Sequence, residues 1–267
     1  MSQNESGDAE QDAAEQEQEV TPLELFFDLV FVFAFTQVTS FLVEHLSWAG
    51  IVSGAALLAA LWWAWVTYSW LTGAVPAEEA LSARVVILAA MAAMLIVALA
   101  VPDAFGNDGI LFGVAYFVVR LLHVALYAVA TPPETRDAVL RAAPGFLGGP
   151  ALLVVAGFFD GSLEGILWAA ALVIDYGIVF VRGVEGFHVN VGHFVERHRL
   201  ILIIALGESL VSIGVGAEGS DLGSKVVLAA LCGIVLIMAL WWLYFDYVVH
   251  AAERRLAQAS GHEQTVL

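Results

Sequence analysis

Ionisable and polar residues interrupt several long apolar runs of this 267-residue chain, and they are the first candidates for chemistry. The candidates for binding a substrate or an ion are Glu24, Asp28, Gln37, Arg120, His123, Asp175, Glu208 and Asp246. A charged side chain in the centre of a bilayer costs about 2.5–3.5 kcal/mol on insertion scales, so such residues mark ion or substrate pathways by default. We therefore expect this set to bind or carry a small solute or an ion.

The spacing of these residues groups some of them on common helix faces. Glu24 and Asp28 are four residues apart, which places both on one face of a helix. Arg120 and His123 are three residues apart and should share a face in the same way. Arginine keeps its charge in proteins, so Arg120 needs a counter-ion, and Asp175 or Glu208 could supply it. The alternative is an ion pair that only holds helices together, but one such pair leaves the other acids unexplained.

Glu208 is the acid that we expect to be most directly functional. It follows Gly207, precedes Ser209, and lies near the middle of its apolar run. A carboxylate at that depth must face the interior of the bundle or a water-filled path, because exposure to lipid is costly. Asp28, nearer to the cytoplasmic end of its own apolar run, could relay an ion towards Glu208.

A second cluster of polar residues suggests a possible metal site. His193 and Glu196 are spaced as ligands on one helix face would be, and His198 follows closely. A solvated polar loop is the alternative interpretation of the same residues. No other cofactor is indicated by the sequence.

The composition indicates a protein that lies in a membrane. Hydrophobic residues make up 60% and charged residues 14% of the chain, whereas soluble domains average about 45–50% and 25%. Seven of the acids behind the net charge of −17 lie in residues 1–20, which contain no lysine or arginine. This tail should be disordered and cytoplasmic. Without a basic patch, nucleic-acid binding is disfavoured. The single cysteine, Cys232, excludes a disulfide within the chain.

Apolar runs of spanning length predict an all-α fold, a polytopic transmembrane bundle of about eight helices in one domain over residues 21–250. The predicted helices cover residues 23–43, 51–71, 84–101, 110–130, 140–159, 166–184, 200–217 and 226–250. A polar segment, 251–267, follows as a C-terminal cytoplasmic tail.

The positions of the arginines predict the orientation in the membrane. Eight of them follow even-numbered predicted helices: Arg84, Arg136, Arg141, Arg182, Arg197, Arg199, Arg254 and Arg255. Only Lys225 lies on the opposite side. Positive residues are enriched in cytoplasmic loops, so both termini should be cytoplasmic.

Two aromatic runs indicate a possible internal repeat. Residues 61–68 and 240–247 share a Trp pair followed by a tyrosine five residues later. An even number of helices separates them, so predicted helices 1 and 2 would repeat as helices 7 and 8 in parallel orientation. Coincidence among aromatic runs is the alternative, and the tryptophans themselves are best interpreted as interfacial or packing residues.

Two stretches resemble the bacterial low temperature requirement A (LtrA) family. The first, 21–34, reads TPLELFFDLVFVFA, and the second combines HFVERH at 193–198 with IIALGES at 203–209. The resemblance implies a multi-pass protein of the bacterial inner membrane. It also implies that C-terminal helices are lacking here, because members of the family usually have ten to twelve spans.

The resemblance supplies no substrate, so the function must come from the residues. We expect a secondary transporter or ion-translocating protein that uses buried carboxylates, and no enzyme activity. The alternatives are a membrane-embedded metal-dependent enzyme and a non-catalytic envelope or stress-related protein. The expected partners are the lipid bilayer and an unknown small solute or ion, and a homo-oligomer is left open.

Overall fold

The computed structural model describes residues 20–75, 80–182, 191–218 and 221–249. Within these ranges the chain forms long α-helices and no strand, which confirms the all-α prediction. The helices are α1 (Pro22–Glu44), α2 (Trp48–Ala74), α3 (Leu81–Ala100), α4 (Gly109–Ala130), α5 (Pro133–Ala156), α6 (Ser162–Arg182), α7 (Val191–Ala217) and α8 (Ser224–Trp242). The two predicted tails lie outside the described residues, except for Val20.

Seven of these helices, all but α6, are long and apolar enough to cross a membrane. A multi-span helical membrane protein is therefore confirmed. The eighth span, predicted at 166–184, stays a prediction because α6 is described only as far as Arg182.

Local sequence explains where several helices begin. The Thr21 hydroxyl accepts a hydrogen bond from the backbone of Glu24, whose carboxylate accepts one in return, and Pro22 fits the first helical position. A proline also starts α5, at Pro133, seven residues before the predicted start. Helix α7 starts at Val191, nine residues before its predicted start. The polar segment 193–198 is therefore helical. It forms the first turns of the helix that continues into the apolar run after it.

The described chain divides into two compact units, one ending at Phe194 and the other starting at Val195. In the first unit, α1 packs against α2 and α3, while α4 packs against α3 and α5. Helix α5 also packs against α6, and α2 contacts both α4 and α6. Helices α2, α4 and α6 therefore meet inside this unit, where the polar residues of the site lie.

Two glycines allow the helices around the site to approach closely. A Cβ atom at Gly113 of α4 would lie 2.7 Å from the carbonyl oxygen of Leu153 in α5. A Cβ atom at Gly149 of α5 would lie 2.7 Å from the carbonyl oxygen of Ala171 and 3.1 Å from Cβ of Asp175, both in α6. Small residues at such contacts let membrane helices pack backbone to backbone. Gly149 thus sets how near the Asp175 carboxylate comes to the centre of the bundle.

The second unit contains most of α7, together with α8. After Trp242, α8 continues as a π-helical stretch, Leu243–Val248, which includes Asp246. Short π-helical segments are rare and occur often at functional sites. The predicted repeat would relate α1 and α2 of the first unit to α7 and α8, and it stays a prediction.

Candidate functional site in the helical bundle

A fully buried ion pair lies where α2, α4 and α6 meet. Nη2 of Arg120 is 2.9 Å from Oδ1 of Asp175, and neither side chain is more than 3% exposed. Nη1 of Arg120 donates a hydrogen bond to Oγ1 of Thr67 on α2. The Tyr116 hydroxyl lies 2.9 Å from the carbonyl oxygen of Ala60 and 3.3 Å from Oδ2 of Asp175. The pair therefore joins α4 to α6 and is held to α2 by polar contacts.

Aromatic side chains surround this pair. Cζ of Arg120 lies 5.8 Å from the ring centroid of Phe146, within the range of a cation–π contact. The indole of Trp63 lies beside Asp175 and packs against Tyr176 with ring centroids 4.4 Å apart. An apolar surrounding lowers the local dielectric constant, so the interaction between the two charges is stronger here than at a surface.

His123 extends the cluster along α4. Its Nε2 atom lies 3.1 Å from the carbonyl oxygen of Thr67. A carbonyl can only accept, so this nitrogen carries the proton. Arg120 and His123 both reach Thr67, as their predicted common face requires. The ring of His123 packs against those of Tyr68 and Tyr127, with centroids 5.3 and 5.6 Å away.

A second polar group lies at the start of α1. The Glu24 carboxylate binds Nε2 of His193, at 3.0 Å from Oε1 and 3.2 Å from Oε2, and both side chains are buried. Glu24 also accepts a 2.9 Å hydrogen bond from the backbone of Thr21, so it caps its own helix. One turn further along α1, Asp28 is fully buried and accepts a 2.8 Å hydrogen bond from Nε1 of Trp65.

Tyr68 connects the two polar groups. Its ring packs against Phe27, beside Asp28, with centroids 4.7 Å apart. Its hydroxyl donates a 2.8 Å hydrogen bond to the carbonyl oxygen of Val119, the residue before Arg120. Tyr68 thus lies between the two polar groups, in ring contact with α1 and hydrogen-bonded to the backbone of α4.

The remaining predicted residues lie elsewhere. Gln37 is half-buried further along α1. Glu208 is half-buried and Asp246 is exposed, and both belong to the second unit. Of the two acids considered for Arg120, Asp175 is the one that the structure places in contact with it. The role assigned to Glu208 stays a prediction.

The predicted metal ligands do not form a site within the part of the chain that is described. No three His, Cys, Asp or Glu side chains among those residues are grouped so that they could hold an ion. His193 belongs to the first unit and binds Glu24. Glu196 forms a surface ion pair with Arg199 on its own helix, with 3.7 Å between Oε2 and Nη1. The metal hypothesis is left as a prediction from sequence.

The sequence did not predict several residues of the cluster, among them Thr67, Tyr116, Trp65 and Tyr68. Thr67 and Trp65 lie within the first aromatic run, which we interpreted as packing residues. In the structure Trp65 donates to Asp28 whereas Thr67 accepts from Arg120.

Comparison with known proteins identifies the family. The model of the bacterial low temperature requirement A protein (LtrA) family matches residues 19–266. The chain belongs to this family. It is 32% identical over 248 residues to an uncharacterized protein of Rhizobium meliloti (strain 1021), a match that covers 88% of this chain and 59% of that protein. The chain thus spans about three-fifths of the length of this relative. No solved structure matches the chain significantly.

One residue from each of the two stretches that resemble the LtrA family takes part in a contact within the first unit. Glu24 belongs to the first stretch and His193 to the second, and they form the buried contact at the start of α1. Asp28 of the first stretch lies one turn deeper. Some of the residues that carry the sequence resemblance to the family therefore also build the site.

Proposed function

We propose that this LtrA-family chain translocates a small solute or an ion across the bacterial inner membrane, with the Arg120–Asp175 pair as its functional centre. The observation that carries the proposal is a fully buried Arg–Asp pair inside a helical bundle in which seven of the described helices are long and apolar enough to cross a membrane. Ionisable groups at such depth usually mark substrate or ion pathways.

A purely structural role explains this pair less well. Replacing a buried ion pair by apolar residues of similar volume is often neutral or stabilising, so stability alone does not favour keeping it. The pair is also incompletely satisfied, because Nε of Arg120 has no hydrogen-bond partner among the described residues. Partly satisfied polar networks are costly in a bundle interior.

An exchange of partners at Asp175 is the elementary step that we propose. A proton or a cation that binds the carboxylate replaces Arg120 as its positive partner. The released guanidinium keeps its contact with Thr67 and becomes available to an anionic group. Since Asp175 and Arg120 lie on different helices, the exchange changes what holds α4 and α6 together, and this couples binding to a movement of helices.

The predicted orientation in the membrane gives the proposed translocation path a direction. The arginine distribution favours cytoplasmic termini, so Glu24, Asp28 and His193 lie near the cytoplasmic end of the bundle. Arg120 is ten residues from the end of α4 at Ala130, a depth of about 15 Å along the helix. We assign the first group to the cytoplasmic entrance and the ion pair to the middle of the membrane.

Reconstitution in proteoliposomes tests the proposal. Proton flux is followed with an enclosed pH-sensitive dye under an imposed pH gradient or membrane potential. Currents on a solid-supported membrane are recorded for Na⁺, K⁺ and a panel of small organic anions and cations. We expect the native chain to give a flux that empty vesicles lack, and Asp175→Asn to abolish it. Absence of flux for every probe would contradict the proposal.

Two further variants test whether Asp175 is the carboxylate on which translocation depends. Asp137→Asn makes the same chemical change at an exposed position of α5 and should leave the flux unchanged. Glu208→Gln tests the residue that the sequence favoured. Loss of flux in Glu208→Gln with normal flux in Asp175→Asn would move the functional centre to the second unit.

A further inference from the structure

An open groove lies between the end of α4 and the start of α5. Its volume is about 430 Å³, which is within the range of small-ligand sites. The described residues that line it are Ala128, Val129, Thr131, Pro133, Arg136 and Leu140. They are distinct from the residues that hold the Arg120–Asp175 pair. The groove is therefore a second feature of the first unit.

The walls of the groove continue an apolar surface of the first unit. Exposed apolar residues recur along one face of α4: Leu111, Val114, Val118 and Leu121. Val129 lies on the same face two turns after Leu121, and it is 85% exposed. On α5, Leu140 is also exposed and lies one turn after Arg136. Extended apolar surface on helices of spanning length marks contact with lipid, so acyl chains can reach the groove along both helices.

Arg136 lies where the apolar span of α5 begins. That span covers Thr135–Ala156, so Arg136 is in its first turn. Leu140 is four residues further along the helix, which corresponds to about 6 Å. Arginine side chains near the ends of spans extend towards the headgroup region. The guanidinium therefore lies at the level of the lipid headgroups, and Leu140 lies at the level of the acyl chains.

The polar groups of the groove favour an anionic ligand that also carries a hydroxyl. Arg136 offers only donors, and no ion pair of this residue is found in the part of the chain that is described. The Thr131 hydroxyl donates a 2.7 Å hydrogen bond to the carbonyl oxygen of Tyr127, so its oxygen can still accept. A guanidinium matches the oxygens of a phosphate, with which it can form two parallel hydrogen bonds.

We propose that this groove binds one anionic phospholipid, whose phosphate pairs with Arg136 and whose acyl chain lies against Val129 and Leu140. A phosphoglycerol headgroup carries both the phosphate and a hydroxyl that can donate to Thr131. A soluble phosphate matches Arg136 but leaves the apolar walls uncovered, whereas a phospholipid covers both. Basic pockets beside membrane helices bind anionic headgroups in the same way. The inference rests on the lining of the groove and not on translocation, so the two proposals can fail separately.

Native mass spectrometry of the purified chain, titrated with phosphatidylglycerol or with phosphatidylcholine of identical acyl chains, tests the headgroup. We expect the native chain to bind one phosphatidylglycerol several times more tightly than phosphatidylcholine. Arg136→Gln should weaken phosphatidylglycerol binding about fivefold, which corresponds to about 1 kcal/mol for one basic residue at an anionic surface. Arg141→Gln removes the same charge from an exposed position of α5 that does not line the groove, and it should leave binding unchanged. Because Arg136 is exposed, its variant should unfold at the native temperature.

A phosphatidylglycerol with a photoactivatable acyl chain tests the location in proteoliposomes. We expect cross-links concentrated within residues 128–140, fewer of them in Arg136→Gln, and no loss of cross-links in excess inorganic phosphate. Equal affinity for the two lipids or equal losses in the two arginine variants would overturn the proposal. Cross-links spread evenly over the lipid-facing helices, or displacement by inorganic phosphate, would overturn it as well.

Discussion

Gly149 offers a test of how the bundle positions Asp175. This test leaves every charge of the site in place. A Cβ atom there would lie 2.7 Å from the carbonyl oxygen of Ala171 and 3.1 Å from Cβ of Asp175, so backbone must move to admit it. At the neighbouring Gly148 an added Cβ would meet only the side chain of Ile174, at an ordinary 3.6 Å. Overpacking of this kind costs about 1–3 kcal/mol.

The two alanine variants should therefore change the free energy of unfolding in opposite directions. Alanine has a better helix propensity than glycine by about 0.8–1 kcal/mol, and both positions lie inside α5. Gly148→Ala should be slightly stabilising. Gly149→Ala has the same gain minus the packing cost, so the difference between the variants isolates that cost of about 1–3 kcal/mol. Gly149→Ala should also lower translocation per folded molecule, because it moves α6 and with it Asp175.

Thermal unfolding of both variants in the same detergent, followed by intrinsic fluorescence, provides the comparison. We expect Gly149→Ala to unfold several degrees below Gly148→Ala. Equal transition temperatures would refute the close approach of α5 and α6, and with it the geometry that brings Asp175 to the centre.

Three further outcomes follow from named contacts. Trp65→Phe removes one donor from the buried Asp28 carboxylate, so it should cost about 1.5–3 kcal/mol of unfolding free energy in a detergent melt. Glu196→Gln breaks only a surface pair with Arg199 and should cost less than about 1 kcal/mol in the same melt; a larger loss would show that the pair is not exposed. A cysteine at Asn107, in a cysteine-free background, should react with a membrane-impermeant reagent added outside intact cells, and protection there would contradict the predicted orientation.

The sequence was sufficient for the helices and for part of the site. Apolar runs of spanning length predict helices because the bilayer requires each backbone group to be satisfied within its own segment. Spacing along one helix was equally informative. It placed Glu24 with Asp28, and Arg120 with His123, on common faces, and all four side chains are buried in the structure.

The spacing of residues along the sequence does not predict which residues of different helices are in contact. Two acids were available to Arg120, and only the folded chain shows that Asp175 of α6 is the one in contact with it. Thr67 and Trp65 gave no sign of their partners, since a hydroxyl or an indole in an apolar run is compatible with many roles. The predicted start of α7 was too late because the span was placed on the apolar run alone, whereas the polar residues at 193–198 belong to the same helix.

The most direct test of the central claim removes both charges of the buried pair together. Arg120→Met and Asp175→Leu, each alone, leave a lone charge in the bundle and should lower stability by about 3–5 kcal/mol. The double variant leaves none and should regain a stability near that of the native chain. Flux per folded molecule is then measured in proteoliposomes. Our account predicts a stable double variant that translocates nothing, whereas native flux in that variant would show that the pair is only structural.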